Sequence, residues 1–160
     1  MGRAGARLLP VPGSRLVAAD SDGGAADAVG ALFEADEAVR ALGISIVDVA
    51  PGTVELAFTP SKDAGNGHGI VHGGYLFLLA DTALAYAFAS RGQSGVTMNA
   101  SIDFLAPARV NTRLTARASE FHRMGAAGIY DVTLKDAEGR TVAVFRGHAR
   151  IPRATSASHP

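Results

Sequence analysis

The 160-residue chain contains no cysteine, which excludes disulfides, thiolate catalysis and cysteine-ligated metal sites. It has no excess of either charge, since fifteen Lys and Arg balance fifteen Asp and Glu. Nucleic acids and anionic membranes are therefore not expected partners. The strongly apolar stretch at residues 72–90 falls short of the roughly 20 residues that a bilayer requires. Pro10 and Pro12 interrupt the early apolar residues, which argues against a secretory signal, and we expect a cytoplasmic protein.

The length predicts one domain with a substantial core. Residues 1–24 lack a periodic apolar face, and residues 153–160 are small and polar, so we predict a disordered N-terminal tail and a frayed C-terminal one. The domain is expected to span residues 25–152.

Apolar spacing predicts an α+β fold. A helix is expected from Ala25 to Leu42, followed by the hairpin ISIVDVA–TVELAFT, which turns at Pro51–Gly52. A buried helix from His72 to about Arg91 precedes four further strands. Because that helix is apolar on every face, we predict that a curved, mainly antiparallel sheet of about six strands wraps around it.

Asp81 is the only charged residue in the stretch from His72 to Ser90. An ionised carboxylate in apolar surroundings is costly unless it is paired or protonated. Asp81 is therefore either a structural acid hydrogen-bonded in the core or a carboxylate placed in a functional site.

The glycine-rich loop before this helix, residues 65–74, matches no nucleotide-binding pattern, since GxGxxG and GxxxxGK[ST] are both absent. A metal site built from His68, His72 and Asp81 is disfavoured, because Gly69 stands where HExxH has its glutamate. His72-Gly73-Gly74 instead brings free backbone N–H groups to a helix start, where glycine allows close approach. This arrangement suits an oxyanion hole for an acyl carbonyl.

Gly73 and Asp81 are eight positions apart on one predicted helix, which separates them by about 12 Å at 1.5 Å per residue. One carbonyl cannot contact both residues. If both serve one reaction, they must come from two antiparallel helices across a two-fold interface. An enzymatic reading of the sequence therefore predicts a dimer.

The segment NGHGIVHGGYLFLLADTALAYA resembles the signature of hotdog-fold acyl-CoA thioesterases of the phenylacetic-acid-degradation (PaaI) type. The resemblance combines a loop Asn, His-Gly-Gly at a helix start and Leu-Ala-Asp within the helix, and extends over residues 31–151. It implies a hotdog fold and hydrolysis of acyl-CoA thioesters without a metal or cofactor, CoA being part of the substrate. It also implies dimers, usually joined as homotetramers.

By this resemblance Asp81 is the catalytic acid, acting as general base on water or as nucleophile. Gly73 supplies the backbone donor to the thioester carbonyl, and His72 supports its loop. Asn66 orients water or substrate, although a simple turn role stays open. Thr82, next to the acid, is a weaker candidate.

The resemblance also places the strand from Met98 to Phe104 along the pantetheine arm, which makes Asn99 and Ser101 candidate CoA contacts. Candidates for the CoA phosphates, chosen for charge and expected position, are Arg109, Arg123 and Arg146. An aromatic, phenylacetyl-type or a medium-chain acyl group is expected.

Two other functions stay open. A hotdog hydratase or dehydratase would pair a histidine with an acid, but no His-Phe-Pro-Gly loop is present. A non-catalytic acyl-CoA-binding domain would gain nothing from a buried acid at position 81.

Overall fold

The computed structural model describes residues 23–152. The helices and strands are, in chain order, α1 Gly23–Ala35, α2 Glu37–Ala41, β1 Ser45–Ala50, β2 Thr53–Phe58, α3 Gly73–Ala89, β3 Val96–Phe104, β4 Leu114–Met124, β5 Ala127–Lys135 and β6 Thr141–Arg150. A 3₁₀ turn at Lys62–Ala64 lies between β2 and α3. The tails predicted for residues 1–24 and 153–160 lie outside the described residues, except that Gly23 and Gly24 already belong to α1.

The six strands form a single antiparallel sheet in the order β1-β2-β4-β5-β6-β3. The sheet packs against α3 through β2, β3, β4, β5 and β6, so the predicted helix wrapped by a six-stranded sheet is confirmed. The β1–β2 hairpin also turns where predicted, since Gly52 has a φ of 80°. Within residues 23–152, no helix has both the length and the apolar character needed to cross a membrane.

The prediction of one continuous N-terminal helix is wrong, because Asp36 divides it into α1 and α2. The Asp36 backbone leaves the helical region, and its Oδ1 accepts the Val39 N–H at 3.2 Å as the cap of α2. Its Oδ2 accepts from the Tyr86 hydroxyl of α3 at 3.3 Å. Burial, followed by the charge of Asp36, raises the pKa of Tyr86. Sequence periodicity did not reveal this tertiary contact.

Strand β3 lies at one edge of the sheet and pairs only with β6 among the described strands. Two of its apolar side chains are well exposed, Val96 at 49 % and Met98 at 64 %. A long apolar edge strand offers unpaired backbone groups to another strand.

Candidate active site

The N-terminus of α3 presents one free backbone donor. His72 is the N-cap, and its Nδ1 accepts the Gly74 N–H at 2.9 Å. The Tyr75 N–H is bonded to the His72 carbonyl at 3.0 Å. No acceptor among residues 23–152 partners the Gly73 N–H, which lies at the positive end of the helix dipole. Gly73 is thus the donor available to a ligand, and His72 shapes the cap around it.

The loop before α3 is held by Asn66. Its Oδ1 accepts the N–H groups of His68 at 2.9 Å and Ile70 at 3.4 Å, and its backbone N–H donates to the Ile70 carbonyl. The turn role left open for Asn66 is therefore present. Because the side-chain oxygen already accepts these two loop N–H groups, the amide Nδ2H₂ is the part of the Asn66 side chain that can donate a hydrogen bond to a ligand.

A groove of about 520 Å³ contains both Asn66 and Gly73. Its remaining lining is apolar and comes from α3, the loop before it and the β3–β4 connection: Ile70, Val71, Leu76, Phe104, Leu105, Ala106, Pro107 and Ala108. The groove combines apolar walls with two convergent polar groups, as small-molecule sites commonly do.

Asp81 lies farther along α3 and is half-buried. Its Oδ1 accepts a hydrogen bond of 2.6 Å from the hydroxyl of Thr97 on β3. Thr82, the weaker neighbouring candidate, is also half-buried on α3, but Thr97 is the residue that orients the acid. Sequence reasoning missed Thr97 because a register shift between Thr97 and Asn99 breaks the alternation of the strand.

The structure places Gly73 and Asp81 on the same uninterrupted helix, as predicted. Eight residues at 1.5 Å each separate them by about 12 Å along the axis. Asp81 does not line the groove that holds Gly73 and Asn66. One chain therefore carries the donor and the acid in two separate places.

The sequence profile of the thioesterase superfamily matches residues 68–143, which include the helix start, Asp81 and Thr97. The acyl-coenzyme A thioesterase PaaI of Escherichia coli is 41% identical over 117 residues, covering 73% of this chain and 84% of that protein. The chain belongs to the thioesterase superfamily. It is a thioester hydrolase of the PaaI type.

Solved structures agree with this assignment. The E. coli PaaI protein from the phenylacetic acid degradation operon superposes with a TM-score of 0.81 at 37% identity, covering 82% of this chain and 96% of that one. A Streptococcus pneumoniae thioesterase solved with coenzyme A gives a TM-score of 0.66 at 28% identity, covering 68% and 85%. The hotdog fold implied by the sequence is thereby confirmed.

Two candidate CoA contacts of this thioesterase, Asn99 and Ser101, lie on the sheet face opposite α3. They pair with the exposed His148 and Arg146, whereas Ile102 pairs with the buried Phe145. The structure therefore does not bring Asn99 and Ser101 together with Gly73 or Asp81 within one chain.

The three candidate arginines are also dispersed. Arg146 on β6 donates to both carboxylate oxygens of Asp131, at 2.6 and 2.7 Å, and stacks over the Phe121 ring. The side-chain hydrogen bonds from Arg146 lower the pKa of Asp131. Arg123 donates to Gln93 and stacks over the Phe88 ring, with its Nη1 buried and without a hydrogen-bond partner.

Arg109 differs from the other two because it follows the groove-lining Ala108 directly. It faces a smaller pocket of about 250 Å³, which it shares with Thr112, Asp136, Glu138 and Arg140. Arg140 is already paired with Asp136 at 2.8 Å. Arg109 itself takes part in none of the ion pairs among residues 23–152, unlike Arg123 and Arg146. Across residues 23–152, no three His, Asp or Glu side chains gather as a metal site would require.

Proposed function

We propose that the protein hydrolyses an acyl-CoA thioester to a free acid and CoA, at a site shared by two chains. The Gly73 N–H of one chain polarises the thioester carbonyl, and Asp81 of the other attacks it or activates water. The acyl group is an aromatic, phenylacetyl-type or a medium-chain one. In support, the E. coli relative is an acyl-CoA thioesterase of the phenylacetic acid degradation operon, and the S. pneumoniae relative binds coenzyme A.

The free Gly73 N–H in an apolar groove is the observation that carries this proposal. A backbone donor in a water-poor site stabilises the oxyanion that forms as the carbonyl is attacked. In the general-base route, water adds to the carbonyl carbon while its proton passes to Asp81. The carbon–sulfur bond then breaks, and CoA leaves as the thiolate.

Asp81 is suited to either chemical role. It takes part in none of the ion pairs among residues 23–152, and its hydrogen bond from Thr97 engages Oδ1. A neutral hydroxyl donor thus holds the carboxylate in place. The Oδ2 atom is left to act on water or on the carbonyl.

The Thr97–Asp81 pair has a parallel in a relative. Solved variants of the S. pneumoniae thioesterase replace an aspartate in one case and a threonine in the other, and these residues lie sixteen positions apart. Asp81 and Thr97 have the same separation. We infer that Thr97 fixes the catalytic carboxylate.

The shared site requires a homodimer, and a homotetramer of two such dimers is expected. The apolar, unpaired edge of β3 is the surface on which the second chain adds, since strand addition there extends the sheet. Antiparallel pairing of the two α3 helices then carries each Asp81 towards the other chain's Gly73.

A panel of acyl-CoA esters with detection of free thiol tests the proposed function. Thiol release with arylacetyl or medium-chain esters is the expected result. Hydration or dehydration of the acyl chain without thiol release would instead identify a hydratase or dehydratase. Saturable binding with no reaction would identify a binding domain.

A further inference from the structure

The Phe104 ring lies against the helix start that carries the free donor. A Cβ built on Gly73 would lie 2.9 Å from Phe104 Cζ and 3.3 Å from Cε1. The ring belongs to the last residue of β3, and 55 % of the residue is exposed. Phe104 is therefore a wall of the groove next to the Gly73 N–H, and a side chain at position 73 would have to displace the ring.

The groove composition indicates which part of a thioester meets this wall. Asn66 is the only groove residue with a polar side chain. The pantetheine arm carries two amides that would need hydrogen-bond partners, whereas an acyl chain needs only apolar contact. The acyl side of the thioester is thus the part that suits the groove.

We propose that Phe104 determines acyl specificity by restricting the carbon next to the thioester carbonyl to an unbranched methylene. This inference rests on the proposed function. A carbonyl oxygen bonded to the Gly73 N–H lies about 2.9 Å from the nitrogen, and the acyl Cα is two bonds from that oxygen. The Cα substituents therefore fall within van der Waals reach of the ring. Straight-chain and arylacetyl groups have a methylene at the acyl Cα and avoid the ring. Groups branched at that carbon carry an extra substituent that clashes with the Phe104 ring.

Selectivity between isomeric substrates tests the role of the ring. For the wild-type protein we expect kcat/KM to favour hexanoyl-CoA over 2-methylpentanoyl-CoA by about tenfold or more, the scale of a misfitted methyl group. Phe104→Ala should reduce that ratio to about twofold, and Phe104→Leu should give an intermediate value. Phe121→Ala, which removes a similarly exposed ring outside the groove, should leave the ratio unchanged.

A double-mutant cycle supplies an independent measurement. Gly73→Ala keeps the backbone N–H but adds the methyl group that meets Phe104. We expect it to lower kcat/KM for hexanoyl-CoA about tenfold with Phe104 present and less than about twofold in the Phe104→Ala background.

An unchanged isomer ratio in Phe104→Ala together with additive effects in the cycle would overturn the inference while leaving thioester hydrolysis intact. If the wild-type protein releases no thiol from any ester, the proposed thioester hydrolysis is wrong, and the inference about acyl specificity, which rests on it, is wrong as well.

Discussion

Thr97 on β3 donates a 2.6 Å hydrogen bond to Asp81 on α3, across the layer between the sheet and the helix. The bond engages the carboxylate oxygen Oδ1 of Asp81. It also ties the position of the acid to β3, an edge strand of the sheet and the strand proposed to pair with a second chain.

Removing the Thr97 hydroxyl should impair the chemical step more than substrate binding. We expect Thr97→Val to lower kcat about tenfold with little change in KM, since the lost bond involves a charged acceptor. Thr97→Ser keeps a hydroxyl and should retain most activity. Equal kcat values for the Val and Ser variants would show that the bond does not position the acid.

Replacing the acid itself should have a larger effect. We expect Asp81→Asn to fold normally and to lose about a hundredfold or more in kcat, the scale of a missing general base. Asp103→Asn, which changes an exposed acid of β3, is the matched control and should stay within about twofold of wild type. Near-normal turnover in correctly folded Asp81→Asn would reject the catalytic role of Asp81.

Local sequence patterns predicted the sheet, the buried helix and the position of its free donor. Alternation and turn residues depend on neighbours along the chain, so they gave the six strands and the Gly52 turn directly. The Tyr86–Asp36 and Thr97–Asp81 hydrogen bonds depend instead on contacts between distant elements. Local patterns contain no information about either.

The CoA-binding candidates illustrate the same limit. Its charge made Arg146 a candidate phosphate contact in the sequence analysis. The ion pair that Arg146 forms with Asp131 depends instead on the register of β5 and β6. The contact of Phe104 with Gly73 likewise joins the end of a strand to the start of a helix. The partner of each of these side chains could not be predicted from the local pattern.

Of the three candidate arginines, Arg109 is the one in no ion pair among residues 23–152, which leads to a prediction about CoA binding. We expect Arg109→Ala to raise KM for acyl-CoA about fivefold with kcat unchanged, the scale of one exposed charge contact. Because Arg146 is paired with Asp131, Arg146→Ala should change KM less. With a short pantetheine thioester, which lacks the nucleotide phosphates, the Arg109 effect should disappear. An effect of equal size on both substrates would contradict phosphate binding.

The hydrolysis is expected to need no metal ion, because a backbone N–H and a carboxylate supply the polarising and attacking groups. Exhaustive dialysis against EDTA should leave kcat and KM within experimental error of the untreated protein. Loss of activity that returns on adding a divalent cation would contradict this expectation.

The shared site is the central claim, and mixing two inactive variants tests it most directly. Gly73→Pro removes the free N–H at a helix position whose backbone tolerates proline, although the exposed Phe104 ring must move to make room for the proline ring. Asp81→Asn removes the acid. When the two are unfolded together and refolded as an equal mixture, about half of the dimers should be heterodimers, each with one intact site. Activity should then recover to about a quarter of wild type. No recovery in a mixture whose heterodimers are confirmed by native mass spectrometry would contradict a site built from two chains.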